Sequence, residues 1–254
     1  GRSGAELRSA LGRFNVTWSS ALVVALCAMG PMEKFPTQLL AALGIVHLVS
    51  LLTVSSIGAE PGRHLADEHE PHPPVYTRLL VTFRILLPVS YMVLTALTPY
   101  LPAALASLGI AAAWRPPASA TWTAARLVTF FALERWHGWH GRWSPAAVGV
   151  VLLLGGFAAA VLAPMLGPSL PGMAMMLSGL AAFGVGMSTI YTAALYYAME
   201  VEKAEVDAGG MHEALIGLGY TGGPACGLAG VGMVATQVVG VDSGPVVTLT
   251  MVGV

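Results

Sequence analysis

Polar positions along this chain come in clusters, separated by long apolar stretches. A bilayer crossing takes roughly 20 mainly apolar residues, and on that measure the pattern predicts about eight helical spans. They fall at roughly 14–30, 37–57, 79–101, 119–133, 146–166, 173–198, 213–234 and 238–254. The longest polar segment is 58–78, which contains Glu60, Arg63, His64, Asp67, Glu68, His69, Glu70 and His72. It reads as a solvated linker that divides the chain. Shorter polar segments lie at 134–143, rich in Trp, His, Gly and Arg, and at 200–212, which is acidic. The expected fold is therefore all-α, a polytopic transmembrane helix bundle. Residues 1–57 hold two helices, 58–78 the linker and 79–254 six further helices.

Composition strengthens this picture. Of 254 residues, 56% are hydrophobic and 10% are charged, and mean hydropathy is +0.72. Soluble domains carry ~25% charged residues. A surface this poor in charge suits lipid, where a central charge costs about 3 kcal/mol or more. The formal net charge of -1 gives no reason to expect a nucleic-acid partner. Cys27 and Cys226 lie in apolar runs, without zinc-site spacing. No cofactor or metal is expected.

Loop charges orient the spans. Arg2, Arg8 and Arg13, then Arg63 and Arg78, then Arg135 and Arg142, then Lys203, all fall on one side of an eight-span layout, while Lys34 and Arg115 fall on the other. Basic residues accumulate in cytoplasmic loops, so the N-terminal segment is expected in the cytoplasm.

Ionisable groups within spans are the candidates for function. Arg126 lies well inside the fourth span, and reads either as a solute or gating contact or as a structurally paired arginine. Arg84, one turn into the third span, is expected to snorkel to the cytoplasmic surface. Glu213 opens the seventh span, where orphan amides and the helix dipole favour a carboxylate. His47 reads as a satisfied core or interface histidine. His137 and His140 could share a helical face, but further ligands are not evident. Tyr91 and Tyr191 lie deep enough to line a path, whereas Tyr196 and Tyr197 fit an interfacial belt or packing. Gly223 and Gly227 form a GxxxG pair that suggests a close helix crossing.

The arrangement resembles the major facilitator superfamily of secondary transporters, whose members have two six-helix halves joined by a long cytoplasmic loop. On that resemblance the two spans before the linker correspond to helices five and six, and the six after it to helices seven to twelve. The chain would then be a fragment lacking the first four helices. The stretch Arg13-Phe14-Asn15-Val16-Thr17-Trp18-Ser19 looks like the start of helix five. Glu134, Arg135, Gly138, Gly141 and Arg142 resemble the family's signature loop between helices eight and nine, with Glu in place of Asp and a longer Trp/His insert. The resemblance implies alternating access around a central site in a bacterial cytoplasmic membrane. It implies a solute path from Asn15, Trp18, Ser19, Tyr91, Thr95, Trp122, Arg126, Tyr191 and Thr192. Gating groups would be Glu134, Arg135, Gly138, Arg142 and Glu213. The implied partners are the lipid bilayer and a small solute with a coupling proton or cation, and no enzyme activity is expected. Two other readings remain open at this stage. One is a membrane enzyme using His64, His69 and His72 or His137 and His140. The other is a non-transporting scaffold or sensor of the same fold.

Overall fold

A computed structural model describes residues 4–32, 34–56, 72–202 and 206–235. The eighth expected span, most of the linker with His64 and His69, and Lys203 lie outside the described residues. Among the described residues the chain is helical, with no strand. We number the α-helices α1 (Gly4–Met32), α2 (Pro36–Ser55), α3 (Pro74–Ser107), α4 (Arg115–Ser119), α5 (Thr121–Arg135), α6 (Ser144–Leu162), α7 (Leu170–Val201) and α8 (Val206–Ala235). Five segments are long and apolar enough to cross a membrane: 9–32, 36–53, 74–107, 144–166 and 170–201.

The fourth expected span is built from two helices. α5 alone is too short to cross. However, the Ala120 amide donates to the Pro116 carbonyl at 2.9 Å, and the Ala120 carbonyl accepts from Ala124 at 2.8 Å. The helical ladder therefore runs on from α4 into α5. At 1.5 Å per residue the 21 residues from 115 to 135 reach about 31 Å, a full hydrocarbon thickness. Arg126 lies near the middle of that rod.

α3 is longer than the 79–101 segment predicted. Pro73 is extended (φ -56°, ψ 139°) and Pro74 occupies the first turn, where its missing N–H costs nothing. The helix thus takes in residues 74–78, assigned above to the linker. At its other end it runs past 101 to Ser107 and stops at Leu108 and Gly109, whose φ of 79° suits glycine.

α1 buries an unusual face. Gly12, Asn15, Ser19 and Gly30 point inward, while Phe14 and Val24 are exposed. Small and polar residues inside with apolar residues outside is the pattern of a helix between protein and lipid. α1 runs antiparallel to the α4–α5 rod: Gly12 lies against the Glu134 side chain, and Gly30 lies against the Ala113 carbonyl and Pro117. α2 is different. None of its 36–53 window is buried, and it is apolar on every side. His47 sits there exposed, its Nδ1 2.7 Å from the Leu43 carbonyl. It is satisfied by its own helix and is not a core residue.

The tightest helix pair is α6 with α7. A Cβ on Gly179 would come within 2.9 Å of Ala160 N and Gly156 O, and one on Gly156 would strike Phe183 N. Glycine at both positions lets the two backbones touch. α8 crosses α3 through Gly219 and Gly223, which abut Pro88, Tyr91, Met92 and Thr95. The crossing pair is therefore one turn earlier than the predicted Gly223 and Gly227. Gly227 has no described side-chain surroundings.

Candidate functional site

Arg126 is 2% exposed. Its guanidinium carbon lies 4.6 Å from the Trp18 ring centroid, 4.8 Å from Tyr191 and 5.1 Å from Phe130. Three rings from α1, α5 and α7 thus cage the charge. Each desolvated cation–π contact is worth about 1–2 kcal/mol, so together they are of the size needed to offset a charge placed mid-membrane. Ring faces do not accept the in-plane N–H groups, however. Nη2 reaches the Tyr91 hydroxyl only at 3.5 Å, and Nε has no partner. Among the described residues no carboxylate pairs with Arg126; the ion pair found is Arg84 with Glu202.

Other polar atoms share this condition. Ser19 Oγ, Thr123 Oγ1, Thr192 Oγ1 and His212 Nε2 are buried without hydrogen-bond partners. Ser19 and Thr123 are fully buried. Thr123 precedes Arg126 by three residues and Phe130 follows by four, so all three share one face of α5. His212 packs edge-on against Tyr191 at 5.1 Å, and Tyr220 lies 5.2 Å from Tyr91. Helices α1, α3, α5, α7 and α8 therefore converge here.

Of the residues expected on a solute path, the structure gathers Trp18, Tyr91, Arg126 and Tyr191. Asn15 is one step away and accepts from Trp18 Nε1 at 3.3 Å. Thr192 and Asn15 line a space of about 30 Å³ between the cage and the 136–143 loop, enough for a water or two. Thr95 instead belongs to the α3–α8 crossing, where its hydroxyl donates to the Tyr91 carbonyl at 2.9 Å. Trp122 lies one turn from Arg126, on the wall of a larger opening. Sequence reasoning missed Phe130 and Thr123, although helical spacing from Arg126 points to both. It missed His212 and Tyr220 because α8 begins at Val206 and turns His212 inward.

The larger opening is a cleft of about 630 Å³, lined by Leu22, Leu26, Leu94, Leu97, Trp122 and Arg115 among others. Its floor residues Leu22, Leu94 and Trp122 lie within about a turn of Trp18, Tyr91 and Arg126. Trp122, one turn before Arg126 on α5, lines this cleft, while the guanidinium itself lies among Trp18, Phe130 and Tyr191.

The opposite end is shut. Tyr197 stacks on Phe83 at 5.8 Å, His140 stacks on Tyr196 at 4.4 Å, and Trp139 meets both tyrosines edge-on. Tyr196 and Tyr197 are buried, so they form packing between α3, α7 and the 136–143 loop and not an interfacial belt. The Tyr197 hydroxyl accepts from the Gly141 amide at 2.9 Å, and Gly141 has a φ of 69°. Arg84 donates to Glu202 at 2.6 Å, so it is held by α7's C-terminal end instead of snorkelling freely.

The expected gating residues are spread out. Glu134 sits beside Gly12 of α1. Arg135 lies over the Phe131 ring of its own helix, 3.3 Å from its centroid. A Cβ on Gly138 would come within 2.7 Å of the Trp136 indole nitrogen. Arg142 and Glu213 are exposed. His137 and His140 are 5.9 Å apart by ring centroids, and among the described residues no three metal-ligating side chains converge.

Compared with protein-family models, with curated proteins and with solved structures, the chain matches none.

Proposed function

We propose that this chain belongs to a secondary transporter of the facilitator type, which moves a small solute across a bacterial cytoplasmic membrane by alternating access. The observation that carries this reading is the caged Arg126, placed between a helix that precedes the linker and helices that follow it, one helical turn from Trp122 on the lining of an open cleft. A polar centre between two helix sets, open on one side and shut on the other, is what alternating access requires. A scaffold of the same fold has no need of unpaired polar atoms at its centre, which cost about 1–3 kcal/mol each. An enzyme site built on His137 and His140 would need converging groups that the described residues do not provide. The N-terminal segment faces the cytoplasm in this reading, and a proton or cation supplies the coupling.

Uptake and counterflow by the full-length protein in proteoliposomes test the proposal, across sugars, amino acids, carboxylates and organic cations. We expect saturable uptake of one class, reduced at least tenfold by Arg126→Gln. Uptake at background for every class would sink the reading.

A further inference from the structure

We propose that the solute recognised at Arg126 is an amphipathic monocarboxylate, its anionic head on the guanidinium edge and its apolar body in the cleft. The inference deepens the transport reading and rests on it for the solute's passage, though not for its binding.

The charge argument comes first. Arg126 is a buried cation with no carboxylate partner among the described residues, and the Trp18 and Tyr191 rings lie 4.6 and 4.8 Å from its guanidinium carbon. Its in-plane edge keeps an unmet N–H at Nε. A planar carboxylate matches a guanidinium edge in shape and charge. Ser19 and Thr123 contribute buried hydroxyls without partners, on the buried faces of α1 and α5. Within the cage there is one positive charge. One cation neutralises one anion, whereas a phosphate dianion would leave a net negative charge buried away from water, at a cost of several kcal/mol. A neutral solute would leave the cation unmatched.

Shape and polarity define the rest of the solute. The cleft above the cage is walled by Leu22, Leu26, Leu94, Leu97 and Leu101, with Trp122 at its floor. Such a wall favours an alkyl or aryl body over a sugar or a peptide backbone, whose polar groups would lose water without finding partners. Its volume, about 630 Å³, lies within the range of small-molecule sites.

Calorimetric titration of the full-length protein in lipid nanodiscs tests this without requiring transport. The probes are acetate, hexanoate, benzoate, benzamide and inorganic phosphate. We expect affinity to rise from acetate to hexanoate and benzoate, with benzamide and phosphate at least tenfold weaker than benzoate. Arg126→Gln should lose benzoate binding tenfold or more, Arg126→Lys should keep part of it, and Thr123→Val should weaken it severalfold, each with wild-type helicity by circular dichroism. Should Arg126→Gln lose helicity, the Lys and Val variants and the benzoate-to-benzamide ratio still decide. No saturable binding to any carboxylate, equal binding of benzamide, tighter binding of phosphate, or undiminished binding in the Arg126 variants overturns the proposal. Carboxylate binding with no uptake would refute transport but leave this site standing. Uptake of a neutral or cationic solute without carboxylate binding would do the reverse.

Discussion

At the residue scale, Trp18, Tyr191 and Phe130 stabilise a buried charge without pairing it. Removing one ring should therefore expose the arginine's cost. Trp18→Ala is expected to lower stability by about 2–4 kcal/mol, combining lost packing with a lost cation–π contact, and thermal unfolding in detergent checks this. Trp18→Phe should recover most of it. Arg126 was legible in the sequence because a charge inside an apolar run stands out whatever it touches. Phe130 and Thr123 were equally available through helical spacing, yet they look like ordinary span residues. His212 was hidden, since a histidine beside two glycines and a glutamate reads as loop until the helix is known to start at Val206. Thr95 shows the converse: the resemblance put it on a path, whereas its hydroxyl donates to backbone carbonyls at a helix crossing.

At the scale of elements, small residues decide which helices meet. Gly156 and Gly179 bring α6 and α7 into backbone contact. Gly179→Val forces a branched side chain against Ala159 and Ala160, and is expected to destabilise by about 1–3 kcal/mol. A lowered unfolding temperature with an unchanged benzoate affinity would identify the effect as packing. Gly155, one residue away, has no neighbour within 4 Å of a Cβ, so Gly155→Val should cost far less. Five of the eight expected spans coincide with helices that are, among the described residues, long and apolar enough to cross a membrane, because length and apolarity are local properties. Which glycine of several makes the contact is not local, and the α3–α8 crossing accordingly falls at Gly219 and Gly223, one turn before the GxxxG pair apparent in the sequence. The fourth expected span, 119–133, falls on the α4–α5 rod, two short helices that the 116–120 and 120–124 hydrogen bonds join.

At the scale of the whole molecule, one end is closed by packed rings and by the Arg84–Glu202 ion pair, while the other opens into the cleft. The pair is part-exposed, with 27% and 31% of the two side chains accessible, so its contribution to stability is at most about 1 kcal/mol. It ties the C-terminal end of α7 to α3. Glu202→Gln should leave the unfolding temperature within a few degrees of wild type yet raise the rate of amide exchange around 199–202, as followed by mass spectrometry. The unequal ends also give the molecule a sidedness that chemistry can read. A cysteine placed at Thr98, an exposed position on the cleft wall, should react with a membrane-impermeant maleimide added on the face that bears Lys34 and Arg115, and resist the same reagent from the opposite face. A second cysteine at Leu195, beside the narrow space behind the cage, should resist it from both. Reagent added to sealed vesicles of known orientation thus converts the position of an arginine into a map of which compartment it can see.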